Sequence, residues 1–175
     1  RVGNAVGSME AAPEVMGRIQ DMARASYSDL YQTVEAFVAN SQALKDLGMS
    51  TEQQLDYTEA LNNALVISGA KGQKAAQVQD ALSKAMATGK LSGDGLNAVL
   101  SSGGRVAQAL ADELGTTVSG LRSVGAQGEI TGDVIARALT GRLQELRDEA
   151  AEMPATMADG MTLIAQRTGW TALGL

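Results

Sequence analysis

Two copies of one six-residue pattern constrain this chain more than any other feature. They read GKLSGD at positions 89–94 and GEITGD at positions 128–133. A glycine just beyond the last turn of a helix takes a positive φ without penalty, and a following Ser or Thr hydroxyl caps the free N–H groups of the next helix. We therefore predict that each copy is a corner between two helices. Gly89 and Gly128 should have positive φ, and Ser92 and Thr131 should act as caps.

The other positions of the pattern fit the same interpretation. Leu91 and Ile130 precede the caps and are expected to fold onto the following helix as hydrophobic staples. Asp94 and Asp133 place negative charge in the first helical turn, where the helix dipole stabilises it. The alternative is that two similar corners arise by chance in an all-helical protein.

Composition favours helices throughout the chain. The 175 residues are 45% hydrophobic but only 3% aromatic, so a core must be built mainly from Leu, Val, Ile, Met and Ala. Such residues suit close helix–helix packing better than a β-sandwich. Apolar residues recur at helical spacing between Gly, Ser and Thr breaks. We predict an all-α fold, a compact array of eight or nine short to medium helices joined by tight Gly/Ser/Thr corners.

The domain prediction has three parts. Residues 1–12 are expected to be a flexible lead-in, 13–153 a helical domain, and 154–175 a C-terminal helical segment leading into the rest of a longer chain. Within the domain, a helix with an apolar stripe from Leu30 to Leu47 should begin at the cap residues 26–29 and stop at Gly48. Ser50 and Gln53 fit a capping box for the next helix.

Two further boundaries are expected later in the domain. The adjacent glycines in SSGG, at 101–104, predict a loop between two helices. Beyond Asp133, the spacing of Val134, Leu139, Leu143 and Leu146 predicts one long helix with a charged end at 147–152.

Several classes of chemistry are excluded. The chain has no cysteine and no histidine, which removes disulfides, the usual zinc sites and the Ser-His-Asp triad. A net charge of −6 argues against nucleic acid as a partner, because phosphate binding needs a concentrated basic face. No stretch approaches the ~20 apolar residues of a membrane helix, so no membrane span is predicted.

The remaining polar candidates are weak. Asp148, Glu149 and Glu152 would suit the general acid and base of a lytic enzyme, but a solvated helix face explains them better. Asp94 is the acidic residue of the first corner, and Asp133 shares the second corner with Glu129; these are too few for a calcium loop. The sequence GGR at 103–105 lacks the ending of a phosphate-binding loop.

Arginines and methionines give no stronger signal. Arg137, Arg142 and Arg147 are spaced by five, which spirals them around a helix and does not form a nucleic-acid stripe. Methionines could form an adaptable contact surface, although filling a core is the more common role. They are Met9, Met16, Met22, Met49, Met86, Met153, Met157 and Met161. We predict no catalytic, cofactor-binding or metal-ligating residue, no cofactor and no enzymatic activity.

Ordered motifs between positions 44 and 139 resemble the conserved N-terminal region of phage tail tape measure proteins. The motifs are KDLGMS at 45–50, ALVISGA at 64–70, QDALSKAMATGKLSGDGLN at 79–97, RVAQALADELG at 105–115, LR at 121–122 and GEIT at 128–131. The run at 79–97 is the most specific of them. The family commonly has a proline where this chain has Gly104, which predicts a looser corner there.

The resemblance implies a structural and assembly role in a phage or prophage tail, with a contribution to tail length. It implies tail assembly chaperones, tail tube or tip proteins and further copies of the chain as partners. It also implies a place in the virion tail, reached from the bacterial cytoplasm during assembly. The alternative is a peptidoglycan-cleaving or membrane-contacting module used during DNA ejection.

Overall fold

The computed structural model describes residues 2, 11–25 and 30–153, and these ranges confirm the predicted all-α fold. They contain nine helices and no strand. The helices are α1 (Ala12–Ala25), α2 (Leu30–Asp46), α3 (Thr51–Ile67), α4 (Gln73–Thr88), α5 (Gly93–Ser102), α6 (Gly104–Leu114), α7 (Leu121–Ala126), α8 (Gly132–Thr140) and α9 (Leu143–Glu152). The predicted caps at 26–29 and nearly all of the predicted lead-in and C-terminal segment lie outside the described residues.

The boundary between α2 and α3 forms as its residues predict. Gly48 has a φ of 84°, and the next N–H, that of Met49, donates to the carbonyl of Leu44 at 3.0 Å. The Ser50 hydroxyl accepts from the Gln53 N–H at 3.2 Å, and the Gln53 side chain accepts from the Ser50 N–H at 2.9 Å. Both halves of the capping box are therefore present.

The predicted loop at 101–104 is wrong, because α5 continues through Ser102 and α6 begins at Gly104. Gly103 alone separates the two helices. Its N–H donates to the Val99 carbonyl at 2.8 Å, and its carbonyl accepts from Ala107 at 2.9 Å. A Cβ at Gly103 would lie 3.1 Å from Cγ1 of Val78 on α4. The missing side chain of Gly103 permits this close packing. Because both of its backbone groups are hydrogen-bonded, one residue is enough to connect the two helices.

The predicted single helix beyond Asp133 is also wrong, because the chain breaks at Gly141 and Arg142. The backbone of Arg142 is not helical, with φ −118° and ψ 19°. The break lets the two short helices pack differently: α8 packs on α3, α4 and α6, whereas α9 packs on α3. Periodicity alone misses this change of direction, because Leu143 and Leu146 continue the apolar spacing.

The apolar side chains form two clusters. The larger unites α3 to α9, and its fully buried members include Leu61, Leu82 and Leu110. The smaller lies around α1 and α2, where Ile19 and Phe37 are buried. Leu47, predicted to end the apolar stripe of α2, is instead 42% exposed, because it lies in the turn after the helix.

The described methionines lie mostly in or beside these clusters. Met22 is buried, and Met16, Met49 and Met86 pack against the clusters while partly exposed. Met153 is exposed. Core filling is therefore the main role of these side chains, and Met9, Met157 and Met161 lie outside the described residues.

Candidate interaction surface

The two matching corners have the backbone geometry predicted for them. Gly89, which ends α4, has a φ of 98°, and Gly128, which follows α7, has a φ of 75°. The Gly89 N–H donates to the Ala85 carbonyl at 2.8 Å, and the Gly128 N–H donates to the Gly125 carbonyl at 3.0 Å. Each glycine therefore closes its helix in a region that disfavours other residues.

The caps of the two corners differ. The Thr131 hydroxyl accepts from the Val134 N–H at 3.3 Å, as predicted. The Ser92 hydroxyl accepts no such bond, so the predicted hydroxyl cap is wrong there. Gly93, the first residue of α5, has a φ of 58°, which turns the helix start away from the Ser92 side chain.

The two corners also bind each other, which the repeat did not reveal. The Leu91 N–H donates to the Ile130 carbonyl at 2.7 Å, and Lys90 and Thr131 form an isolated antiparallel bridge. Leu91 and Ile130 are both buried. The predicted staple residues thus also join the two corners, and the only sequence sign of this was the equivalent position of two apolar residues.

Close packing beneath the corners explains why residue 125, on α7, is a glycine. A Cβ at Gly125 on α7 would lie 2.8 Å from Cδ2 of Leu96, 3.4 Å from Cδ1 of Ile130 and 3.4 Å from the carbonyl oxygen of Leu91. No side chain fits there without movement. The paired corners are therefore closely packed against α5 and α7.

An open groove of about 290 Å³ lies along the outer side of the first corner. Its base is lined by the buried side chains of Ala81, Ala85 and Leu91, and its polar lining includes Lys84, Lys90 and Asp94. Both lysines are exposed. Neither ammonium group is in an ion pair with a carboxylate of the described residues.

The three late arginines contrast with these lysines. Arg137 Nε lies 2.9 Å from Asp133 Oδ2, and Arg142 Nη1 lies 3.2 Å from Glu113 Oε1. Arg147 Nη2 donates to Glu59 Oε1 at 2.9 Å. Each arginine therefore has an acidic partner, in agreement with the interpretation that they do not form a nucleic-acid stripe.

Asp148, Glu149 and Glu152, the three candidates for a general acid and base, all lie on α9, but their side chains have different partners. Glu149 Oε2 accepts from Arg105 Nε at 2.9 Å and lies 2.8 Å from Arg105 Nη2. Asp148 accepts from Gln144 at 3.0 Å, and Glu152 is exposed. The structure thus gives Glu149 a salt-bridge partner. Sequence reasoning missed that partner because Arg105 is distant in the chain.

The residues considered for calcium binding and for a phosphate-binding loop also make contacts that do not form such sites. Asp133 is paired with Arg137, while Asp94 lines the groove. Among residues 2, 11–25 and 30–153, no group of three acidic residues is placed to hold a metal ion. The N–H of Arg105, at the start of α6, donates to the Ser68 hydroxyl at 2.9 Å. In the same ranges, no helix is long and apolar enough to cross a bilayer.

Comparison with protein families matches residues 1–172 to the family described as tape measure protein. The chain belongs to the tape measure protein family. It is therefore a structural component of a phage tail, and the earlier resemblance is confirmed. None of the curated proteins compared matches the chain, and neither does any solved structure.

The motifs of this tape measure domain can now be located in the fold. The most specific run, 79–97, covers most of α4, the first corner and the beginning of α5, and it contains every residue that lines the groove. Gly104, where proline is common in tape measure proteins, was expected to give a looser corner. In this chain a single residue, Gly103, separates α5 from α6.

Proposed function

We propose that this chain is an assembly domain of a tape measure protein, which contributes to tail assembly and tail length determination through protein–protein contacts. The observation that supports this is the groove at the first corner, where two exposed lysines with no ion-pair partner among the described residues flank an apolar base. The described helices, from Ala12 to Glu152, support residues 13–153 as the folded unit.

The charges around the groove indicate what kind of partner surface would fit it. The chain has a net charge of −6, and its interhelix arginines are already paired with carboxylates. Lys84 and Lys90 are thus positive charges that remain available to another molecule. An acidic patch with a small apolar side chain at its centre would complement them, because opposite charges steer association and the apolar contact adds affinity.

The proposed partners are tail assembly chaperones, tail tube or tip proteins, and further copies of the chain. We place these contacts in the bacterial cytoplasm during assembly, before the domain is held in the virion tail. The groove residues lie on α4, on the corner after it and on the first turn of α5, so a partner would contact all three segments.

Charge reversal tests the groove directly. We expect Lys84→Glu to weaken binding to purified tail assembly chaperone, tube or tip protein by about tenfold or more, as measured by titration calorimetry. Lys74→Glu is the matched control, because Lys74 is an exposed lysine of the same helix outside the groove. Equal affinities for both variants and the unchanged chain would exclude the groove as the contact.

The same variants test the role in the tail. Phage carrying Lys84→Glu should yield fewer complete tails in electron micrographs than phage carrying Lys74→Glu. Normal numbers of tails with normal length in both cases would contradict an assembly role for this surface.

We also infer that the domain acts without catalysis. The salt bridge to Arg105 supports a structural role for Glu149, which is less exposed than Asp148 and Glu152, the other two candidate acid–base residues. Incubation with purified peptidoglycan should release no soluble muropeptides. Release that disappears in Glu149→Gln would overturn this inference and favour the lytic alternative.

A further inference from the structure

The last described helix, α9, is anchored differently from the helix before it. In α8 the buried residues are Gly132, Val134, Ile135, Ala136, Ala138 and Leu139. In α9 only Leu146 and Ala150 are buried. Apolar burial scales with the area removed from water, so it contributes much less to the docking of α9 than to that of α8.

Charged contacts join α9 and the residue that precedes it to α6. Arg142 Nη1 lies 3.2 Å from Glu113 Oε1. Arg105, whose side chain is 8% exposed, places Nη2 2.8 Å from Glu149 Oε2 and 3.4 Å from Glu145 Oε1. Two arginine contacts, one near each end of α9, therefore hold the helix against α6.

A second set of charges joins α9 to α3 and continues to α1. Arg147 donates through Nε and Nη2 to the Glu59 carboxylate, with the Nη2 bond at 2.9 Å. Glu59 Oε1 also lies 3.6 Å from Arg18 Nη2, and Arg18 is paired with Asp56. The interaction between α9 and α3 is thus part of a charge network, and dissolved salt screens such partly exposed pairs.

The Arg105 guanidinium has an unfavourable feature in the docked state. Its Nη1 is buried and has no hydrogen-bond partner in the ranges 2, 11–25 and 30–153. A buried donor without a partner is destabilising, and contact with water removes that cost. Movement of α9 would hydrate this group, because the carboxylates beside Arg105 belong to α9.

The chain before α9 permits such movement. Gly141 donates to the Arg137 carbonyl at 3.0 Å and Arg142 donates to the Leu139 carbonyl at 3.1 Å, so α8 completes its own hydrogen bonds before α9 begins. Rotation at this break would leave α8 intact.

We propose that α9 is a detachable helix, which leaves the domain as a unit when its ion pairs are screened while α3 to α8 remain folded. Detachment uncovers a surface on α3 and α6 that carries Glu59 and Arg105 beside the apolar site that Leu146 fills. The domain would then have two states that differ in the position of one helix, a property separate from the lysine groove.

Hydrogen exchange of the 175-residue chain measures this directly. Between roughly 50 mM and roughly 500 mM NaCl, a range over which the Debye length falls severalfold, we expect exchange in α9 to accelerate about tenfold. Exchange in α8 should change less than twofold, and α8 serves as the internal reference for any effect of salt on chemical exchange.

A matched pair of variants separates the ion pairs from the general charge of the helix. Glu149→Gln removes the Arg105 contact and should accelerate α9 exchange at low salt by about fivefold or more. Asp148→Asn removes the same charge from the adjacent residue, whose partner Gln144 lies in the same helix, and should have little effect. Equal exchange of α8 and α9 at both salt concentrations, or equal effects of the two variants, would overturn the proposal.

Discussion

The first corner can be tested by replacing the glycine that ends α4. Gly89 has a φ of 98°, and a Cβ placed there meets no atom within 4 Å. The change Gly89→Val therefore introduces backbone strain without a clash. For a residue other than glycine this region costs about 1–2 kcal/mol, and β-branching makes the strain larger. Reduced freedom of the unfolded chain offsets about 0.4–1 kcal/mol of that cost.

We expect Gly89→Val to lower the free energy of unfolding by about 1 kcal/mol or more. Urea denaturation followed by circular dichroism measures this difference, and the thermal midpoint should fall by about 2–4 °C per kcal/mol. The slope of the free energy against urea should stay unchanged, because the surface exposed on unfolding is the same.

Gly104→Ala is the control for this experiment. Gly104 is the first residue of α6, has ordinary φ and also has no atom within 4 Å of an added Cβ. This variant should raise the free energy of unfolding by about 0.4–1 kcal/mol. A Gly89→Val variant that is as stable as the unchanged chain would refute the account of the corner, and a destabilising Gly104→Ala would show that packing dominates both positions.

Two more predictions concern single polar groups. Of the two corner hydroxyls, Thr131 accepts a capping bond and Ser92 does not. In urea denaturation, Thr131→Ala should therefore lower the free energy of unfolding by about 1 kcal/mol, whereas Ser92→Ala should have almost no effect. Equal losses in the two variants would contradict this difference. Burial raises the pKa of Tyr57 above its ordinary value of 10.0, so the unfolded chain loses this proton first and stability should fall as the pH rises above 10.0. Tyr57→Phe should remove part of that alkaline loss. Since the buried hydroxyl has no partner within the described part of the chain, the change should also raise the free energy of unfolding at neutral pH by about 1 kcal/mol. Identical pH-dependent thermal denaturation of both proteins would exclude this explanation.

Local interactions explain why much of the fold could be predicted. The capping box of Ser50 and Gln53 and the positive φ of Gly89 depend on a few adjacent residues, so their patterns can be read directly from the sequence. The same holds for helical spacing, which correctly predicted the all-α class. The groove residues lie within the most specific motif, 79–97, although nothing in that motif revealed an open groove.

Direction and long-range pairing required the tertiary structure. The break between α8 and α9 lets α8 pack on α3, α4 and α6 while α9 packs on α3, and apolar spacing continues across it. The salt bridge between Arg105 and Glu149 and the bond between Leu91 and Ile130 join residues far apart in the chain. Sequence alone therefore determined the all-α class, local caps such as the Ser50 capping box, and the family. Only the folded chain decided which corners, charges and helices meet, because those contacts depend on how all the apolar faces are buried together.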